Sequence, residues 1–398
     1  MLKMKNVAYI SIAQMLSIIL GLCSTLLWTR FVESQDYGTF ILIISTLPIA
    51  TAFSAKGLDY SAQISASKKF HKNFDAIIKL RFCMSFLGSL VLILFSIYYW
   101  YQSQSIIAYA LAFMVIVFPV YNLKSVLESW LNGAGHFGWL SLFLVLPQIF
   151  FLGIFCFVLL LGGYIESLPF FLILIGLSTN LYFFDLVKKS NDNFHSDDEP
   201  IKYGRRISAA FIIPITIASL DKLIIFSTVS IEAVAIISIA LIPSQQLGSA
   251  FSIFYRLLTP EISSAASIRS AWLAIKYRFW MLSALSVLIG LFCFFYIDNI
   301  VIFVFGIKYS QSAHFAQGLT ASFALCLAPT LLGNILRAQN RVAFNYFFEF
   351  FNSATKFLVF LFGGYLYGIN GIVLGLISAN IIMAFVFISY FLWDYFNE

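Results

Sequence analysis

Charged and amide side chains lie inside several long apolar runs of this chain, where they are costly to place. An ionisable group in the middle of a membrane-spanning helix costs about 2.5–3.5 kcal/mol on insertion scales. Such residues are kept where they face a hydrated cavity or a charged partner, so they indicate binding or ion exchange. Each group below is therefore weighed against the alternative that it only fixes helix packing.

The adjacent residues Asp221 and Lys222 lie near the middle of a predicted helix over 207–229. Neighbours on a helix point about 100° apart, so at most one of them is expected to point straight into a cavity. Lys222 could bind an anionic group, and Asp221 could exchange a proton or another cation. The alternative is that each residue pairs with a neighbouring helix.

A polar stripe follows one face of a predicted helix over 343–365. Its members are spaced four, three and four residues apart, which places them on one side of an α-helix. Carboxylate, amide and ammonium groups on one face rarely point toward lipid. We expect this stripe to line a hydrated cavity or a polar helix contact. It consists of Asn345, Glu349, Asn352 and Lys356.

One further pair and two single residues carry weaker signals. Lys56 and Asp59 are three residues apart in a predicted helix over 38–60, so they can pair with each other, which favours a packing role. Arg30, at the outer end of the first predicted helix, could bind a substrate or extend to lipid headgroups. Gln148, beside Pro147, indicates a locally broken helix near a pathway.

The composition sets the class of protein that holds these residues. Of 398 residues, 61% are apolar and 11% are charged, against about 45–50% and about 25% in soluble domains. A water-soluble fold cannot cover that much apolar surface. These values indicate a membrane protein with many spans and exclude a secreted disulfide scaffold, a nucleic-acid-binding protein and an ordinary soluble enzyme.

Apolar runs long enough to span a bilayer occur about 12 times, since one span needs about 20 residues. We predict an all-α membrane protein of about 12 transmembrane helices, in two six-helix halves around a central cavity. The N-terminal half covers 1–190, a cytosolic linker 191–206 and the C-terminal half 207–398. The predicted helices cover about 7–30, 38–60, 82–101, 106–127, 139–161, 167–187, 207–229, 233–255, 279–301, 313–335, 343–365 and 369–392.

The 24 Lys and Arg residues set the orientation. With the N-terminus inside, most of them, including Lys79, Arg81 and Lys124, fall in cytosolic segments, and only Arg30 and Lys308 fall outside. This is a strong positive-inside bias, so both termini are expected to be cytosolic. The net charge of +6 therefore reflects topology and needs no nucleic acid as a partner.

Several kinds of chemistry have no signature in the sequence. There is no G-x-x-x-x-G-K-[ST], no G-x-S-x-G and no H-E-x-x-H. The four His do not cluster, and the five Cys lie in apolar runs without a C-x-x-C. We therefore predict no catalytic residue, no metal site, no cofactor and no enzymatic activity.

Short motifs along the chain resemble those of the O-antigen flippase family, within the multidrug, oligosaccharidyl-lipid and polysaccharide exporter superfamily. Trp28–Gly38 (WTRFVESQDYG) resembles the first helix junction of these flippases. The pair Asp221-Lys222 is similar to their Asp-basic pair. Phe305–Tyr309 (FGIKY) and Tyr367–Gly371 (YGING) also fit. The eighth predicted helix departs from the family because it opens with Glu232 and lacks the usual Gly-Tyr.

The resemblance implies a bacterial inner-membrane flippase that moves undecaprenyl-diphosphate-linked oligosaccharide from the cytosolic to the outer leaflet by alternating access. Polysaccharide polymerase and chain-length machinery would be its protein partners, and H⁺ or Na⁺ a coupling ion. The diphosphate would be bound by Lys222, Lys356, Arg30 and Lys56, and the sugars by Asn345, Asn352 and Gln148. Candidates for ion coupling are Asp221, Glu349 and Asp59.

Two other functions remain open at the level of sequence. A small-molecule or drug antiporter of the same superfamily would share the fold. A membrane polysaccharide polymerase has similar length and hydropathy, but it usually carries a large outer loop with Arg residues. Here the longest polar loop, 188–206, is predicted to be cytosolic, which makes the polymerase the less favoured alternative.

Overall fold

The structure, a computed structural model, describes residues 4–160, 168–189, 196–263, 267–338 and 342–397. Within these ranges the chain is almost entirely α-helical and contains no β-strand, which confirms the predicted all-α class. The internal contacts divide the chain into two compact units. Unit 1 is Met1–Leu220, and unit 2 is Asp221–Glu398.

Unit 1 contains nine helices in its described part, two of which have only 10 residues each, against about 20 for a membrane crossing. Its main packed pairs are α1 with α7, α4 with α5, and α3 with α6. The helices are α1 (Met4–Phe31), α2 (Ser34–Ala52), α3 (Leu58–Ser67), α4 (Asn73–Tyr101), α5 (Ser105–Tyr121), α6 (Lys124–Gly133), α7 (Phe137–Leu160), α8 (Leu168–Lys189) and α9 (Glu199–Ser219).

Two helices that the sequence predicts as continuous are interrupted in unit 1. The predicted helix over 38–60 ends at Ala52 and resumes at Leu58, because the turn between them places Ala55 at a left-handed φ of 55°. The predicted helix over 106–127 ends at Tyr121, and α6 starts at Lys124. The second interruption lies within a stretch, Ser105–Gly133, that is still long and apolar enough for one span. Neither interruption was predicted, since hydropathy does not register a short turn within an apolar run.

The interruption between α5 and α6 follows a proline and is stabilised from neighbouring helices. Pro119 has no N–H, so it cannot donate to the carbonyl of Val115 four residues earlier. The Ser89 hydroxyl on α4 donates to that carbonyl instead, at 3.0 Å. The Asn180 amide on α8 donates to the carbonyls of Val120 and Tyr121 at the end of α5. The freed backbone acceptors are thus satisfied by side chains.

Unit 2 is organised around one central helix, α13, which packs against α11, α12 and α15. Small residues allow this close packing: a Cβ on Gly333 would lie 2.2 Å from the Phe387 ring. The helices are α10 (Asp221–Thr228), α11 (Ile231–Ser263), α12 (Ile268–Phe305), α13 (Ser310–Ala338), α14 (Val342–Leu358) and α15 (Gly364–Asn397), with a 3₁₀ turn at Ile307–Tyr309 and a π-helical turn at Val359–Gly363.

The predicted span over 207–229 corresponds to a stretch, Phe211–Thr228, that is long and apolar enough to cross a membrane, but its helix is not continuous. It is interrupted at Leu220, so that α9 ends unit 1 and α10 begins unit 2. In contrast, α7 continues through Pro147, and the broken helix expected beside Gln148 is absent there. Proline at this position kinks or weakens a helix locally without ending it.

Ten helical stretches in the described part of the chain are long and apolar enough to cross a membrane. One of them, Phe350–Phe396, has 47 residues and would measure about 70 Å as a straight helix, against about 30 Å for the hydrocarbon core. It contains a sharp kink at Gly368, where φ is 57° and ψ is −141°. The protein is therefore a multi-pass membrane protein, and the count of twelve stays a prediction.

Candidate functional site

The turn between α2 and α3 holds a charged pair in the interior of unit 1. Lys56 lies in the turn, and its Nζ is 2.7 Å from Asp59 Oδ2 in the first turn of α3. The Asp59 side chain is 11% exposed and that of Lys56 is 34% exposed. The predicted pairing of these two residues is therefore present, and the lysine still reaches the surface of the unit.

Arg81 on α4 connects this pair to the second interruption. Its side chain is fully buried, and its Nη2 lies 3.9 Å from Asp59 Oδ1. Nη1 donates to the carbonyl of Ser54 at 2.5 Å. Nη2 donates to Asn122 Oδ1 and to Ser125 Oγ, both at 3.1 Å. One guanidinium therefore bonds to residues of both helix interruptions.

The polar network extends along α6. Ser125 Oγ donates to Asp59 Oδ1 at 3.0 Å. Glu128, one helical turn after Lys124, is half-buried and interacts electrostatically with Lys124, Lys56 and Asp59. Three cations and two carboxylates thus share one region of unit 1. On formal charges this cluster has one positive charge in excess, which suits an incoming anion better than a cation.

The sequence analysis missed most of this network. It assigned Arg81 and Lys124 to cytosolic segments as topological charges, and the structure places Arg81 well inside α4, fully buried. The signal that could have found it is a stripe of polar residues four apart, Arg81, Ser85 and Ser89, all of them buried on one face of α4. That spacing marks a helix face turned to protein.

Asp221 and Lys222 pair with each other at the start of unit 2. Lys222 Nζ lies 2.6 Å from Asp221 Oδ2. The Lys222 side chain is 13% exposed and the Asp221 side chain 22%. Asp221 Oδ1 also accepts from the Lys222 backbone N–H at 2.7 Å. The two side chains meet although neighbours on a helix point about 100° apart, because the flexible lysine stem folds back to the carboxylate.

Of the predicted polar stripe on α14, the structure describes the side chains of the second half only. Asn352 and Lys356 are half-buried, and Lys356 lies in the last turn of α14, directly before the π-helical turn. Lys356 acts electrostatically on Cys326 of α13, whose thiol donates to the carbonyl of Asn380 on α15. The side chains of Asn345 and Glu349 lie outside the described residues.

The remaining candidates lie apart from these pairs. The Gln148 amide on α7 donates to Ser17 Oγ on α1 at 2.5 Å, and its Oε1 is buried without a hydrogen-bond partner among the described residues. Arg30 is exposed in the last turn of α1. In the part of the chain that the structure describes, no group of three or more His, Cys, Asp or Glu residues could hold a metal ion.

No family model and no curated protein matches this sequence, but several solved structures resemble the fold. An inward-facing multidrug resistance MATE transporter of the MOP superfamily has a TM-score of 0.70 at 14% identity, over 98% of each chain. Lipid II flippase MurJ, in an inward closed conformation, has a TM-score of 0.68 at 15% identity, over 96% of this chain and 87% of its own.

A third likeness is to a MOP superfamily transporter from Pyrococcus furiosus whose binding pocket has reversed polarity. Its TM-score is 0.62 at 14% identity, over 99% of this chain and 95% of its own. At these identities the likeness establishes the fold. The chain therefore has the fold of MOP superfamily transporters along nearly its whole length, as the sequence resemblance implied for the superfamily.

Proposed function

We propose that this protein is a flippase for undecaprenyl-diphosphate-linked oligosaccharide repeat units of O-antigen or a related surface polysaccharide. It moves them from the cytosolic to the outer leaflet of the bacterial inner membrane by alternating access, with both of its termini in the cytosol. Its fold is shared by a multidrug transporter and by a lipid II flippase. The choice between these two classes rests on the charges inside the helices.

One observation carries this choice: cations are held at helix interruptions within a chain of very low charge. Lys222 is paired at the start of α10, and Lys56 is paired beside the α2–α3 turn. A lysine ammonium offers three donors and a point charge that suits phosphate oxygens. A diphosphate could displace the paired carboxylate from each lysine, whereas an organic cation would meet a positive charge. The arrangement therefore favours an anionic headgroup.

The other predicted residues have supporting roles in this proposal. Lys356 and Arg30 add positive charge, and Asn352, Asn345 and Gln148 supply amides for sugar hydroxyls. The carboxylates released from the lysines can take up H⁺ or Na⁺, which would couple ion movement to substrate release. These coupling candidates are Asp221, Asp59 and Glu349. Polysaccharide polymerase and chain-length machinery would receive the product on the outer face.

The proposal is tested by reconstituting the protein in proteoliposomes with a fluorescent polyprenyl-diphosphate-linked oligosaccharide and measuring its leaflet exchange. Lys222→Gln and Lys56→Gln should each lower the rate at least tenfold. The matched control is Lys202→Gln, since Lys202 is paired with Glu199 on the exposed start of α9. Wild-type protein that does not move this lipid would refute the flippase proposal.

The second candidate, a small-molecule or drug antiporter, is supported by the likeness to the multidrug resistance MATE transporter. It predicts ion-driven efflux of organic cations from cells that express the protein, with no effect on surface polysaccharide. Efflux that is abolished by Asp221→Asn, together with normal polysaccharide display in a deletion strain, would favour this candidate over the flippase.

A further inference from the structure

An elongated apolar groove of about 440 Å³ lies on unit 2 between α12, α13 and α15. On α12 its lining extends from Trp272 to Val287, which corresponds to about 22 Å along a helix. That length is more than half of the hydrocarbon thickness of a bilayer. The groove therefore has the dimensions of a chain-like ligand, and its volume falls within the range of about 300–1,000 Å³ found for ligand pockets.

The walls of the groove are almost entirely hydrocarbon. Leu325 and Pro329 of α13 form one side, and Phe391 and Phe396 of α15 form another, opposite Trp280 of α12. Such a surface binds alkyl or prenyl groups by dispersion and excludes water. The ligand class that fits these walls is a single hydrocarbon chain.

Two cations stand along the same groove. The Arg269 guanidinium lies 5.5 Å above the ring of Tyr395, a residue of the groove wall, and its Nε donates to the Tyr395 carbonyl. Lys276 is exposed and lies four residues from both Trp272 and Trp280, hence on the same face of α12. Two basic side chains thus lie near the Trp272 end of the apolar groove, where they could bind the anionic headgroup of a lipid whose chain fills the groove.

We infer that this groove binds the isoprenoid chain of a polyprenyl phosphate lipid, with the phosphate at Arg269 and Lys276. The inference rests on the proposed function, which supplies a lipid with one long prenyl chain and a phosphate at its head. An ordinary anionic phospholipid carries two chains, and one narrow groove accommodates only one of them. The groove would hold the lipid by its tail before the headgroup moves on to the lysines of the proposed transport site.

The experiment uses the full-length protein in lipid nanodiscs with a diazirine-bearing polyprenyl phosphate. Photolabelling should modify peptides from α12, α13 and α15, and unlabelled polyprenyl phosphate should compete at least tenfold better than phosphatidylglycerol. Leu325→Trp fills the groove and should lower labelling at least tenfold. Leu374→Trp is the matched control, because Leu374 is an exposed leucine of α15 outside the groove wall.

Two results would overturn the inference. Equal competition by phosphatidylglycerol would show a site for bulk lipid, and unchanged labelling of Leu325→Trp would place the chain elsewhere. The charged end is tested with the double variant Arg269→Gln/Lys276→Gln. In this variant polyprenyl phosphate should compete for labelling no better than uncharged polyprenol.

Binding and transport are measured separately, so the two proposals can fail independently. If the wild-type protein is labelled in the groove but does not flip the lipid-linked oligosaccharide, the proposed function is refuted and the inference that the groove binds a prenyl chain still holds. Leu325→Trp protein that loses labelling and flips at the wild-type rate shows that the bound chain takes no part in transport, which overturns the inferred tail-holding role.

Discussion

Arg81 Nη1 donates to the backbone carbonyl of Ser54, in the turn that separates α2 from α3. The other arm of the same guanidinium bonds to Asn122, in the turn that separates α5 from α6. Where the backbone leaves a helix inside a membrane, its N–H and C=O groups need other hydrogen-bond partners, because no water is available there. One buried arginine thus stabilises two interruptions and places Lys56 and Asp59 between them.

Removing Arg81 should therefore strongly destabilise unit 1. Arg81→Ala leaves the Ser54 carbonyl and the Asn122 amide oxygen without this donor, and each unsatisfied buried polar group costs about 1–3 kcal/mol. We expect a clear loss of stability in thermal or denaturant unfolding of the detergent-solubilised protein. The control is Arg205→Ala, at an exposed position of α9. It should change the free energy of unfolding by less than about 0.5 kcal/mol. Equal effects of the two substitutions would contradict the structural role of Arg81.

The 2.6 Å pair of Lys222 and Asp221 predicts non-additive substitutions. Lys222→Gln or Asp221→Asn alone leaves one charge unpaired, whereas the double variant leaves none. Residues in direct contact typically couple by about 0.5–3 kcal/mol. We expect the double variant to unfold at a higher temperature than the Lys222→Gln protein, although both are defective in transport. If the stability changes of the two single variants summed to that of the double variant, the two charges would not interact.

The sequence was sufficient for the class of fold but not for the helix interruptions. Hydropathy finds apolar runs of about 20 residues, and those runs are present in the structure as helices. It does not find a turn such as the one at Ala55, because a left-handed residue inside an apolar run leaves the mean hydropathy unchanged. The residues that satisfy these turns, such as Ser89 and Asn180, come from helices distant in sequence.

The position of Arg81 shows the same limit. An apolar window begins only after Lys79 and Arg81, so the sequence predicts that both lie at a cytosolic boundary. The helix in fact starts at Asn73, which places Arg81 about 12 Å further along it. At the charged pairs, the local spacing of Lys56 and Asp59 was sufficient to predict their contact, whereas the bend of the Lys222 side chain toward Asp221 was not.

Close backbone packing between α3 and α6 predicts a steric effect at Gly133. A Cβ there would lie 2.3 Å from the carbonyl oxygen of Gln63, which is backbone and cannot rotate away. Gly133→Ala should destabilise the protein by about 1–3 kcal/mol, the usual cost of overpacking. Gly153→Ala on α7 is the matched control, because a Cβ at that position meets no atom within 4 Å. Both are measured by thermal unfolding in the same detergent, and a Gly133→Ala protein as stable as the control would contradict the packing.

Substituting Gly368 should strain the backbone without causing a steric clash. Its φ of 57° is left-handed, and a Cβ there would meet no atom within 4 Å. With ψ at −141° this residue lies outside the left-handed helical region, in a conformation that side chains with a Cβ rarely adopt, so Gly368→Ala should cost about 1–3 kcal/mol. Gly368→Asn should be destabilised as well, because asparagine tolerates positive φ mostly in the left-handed helical region. Unfolding temperatures of both variants below that of the wild type test the kink. An alanine variant as stable as the wild type would mean that α15 is straight at this residue.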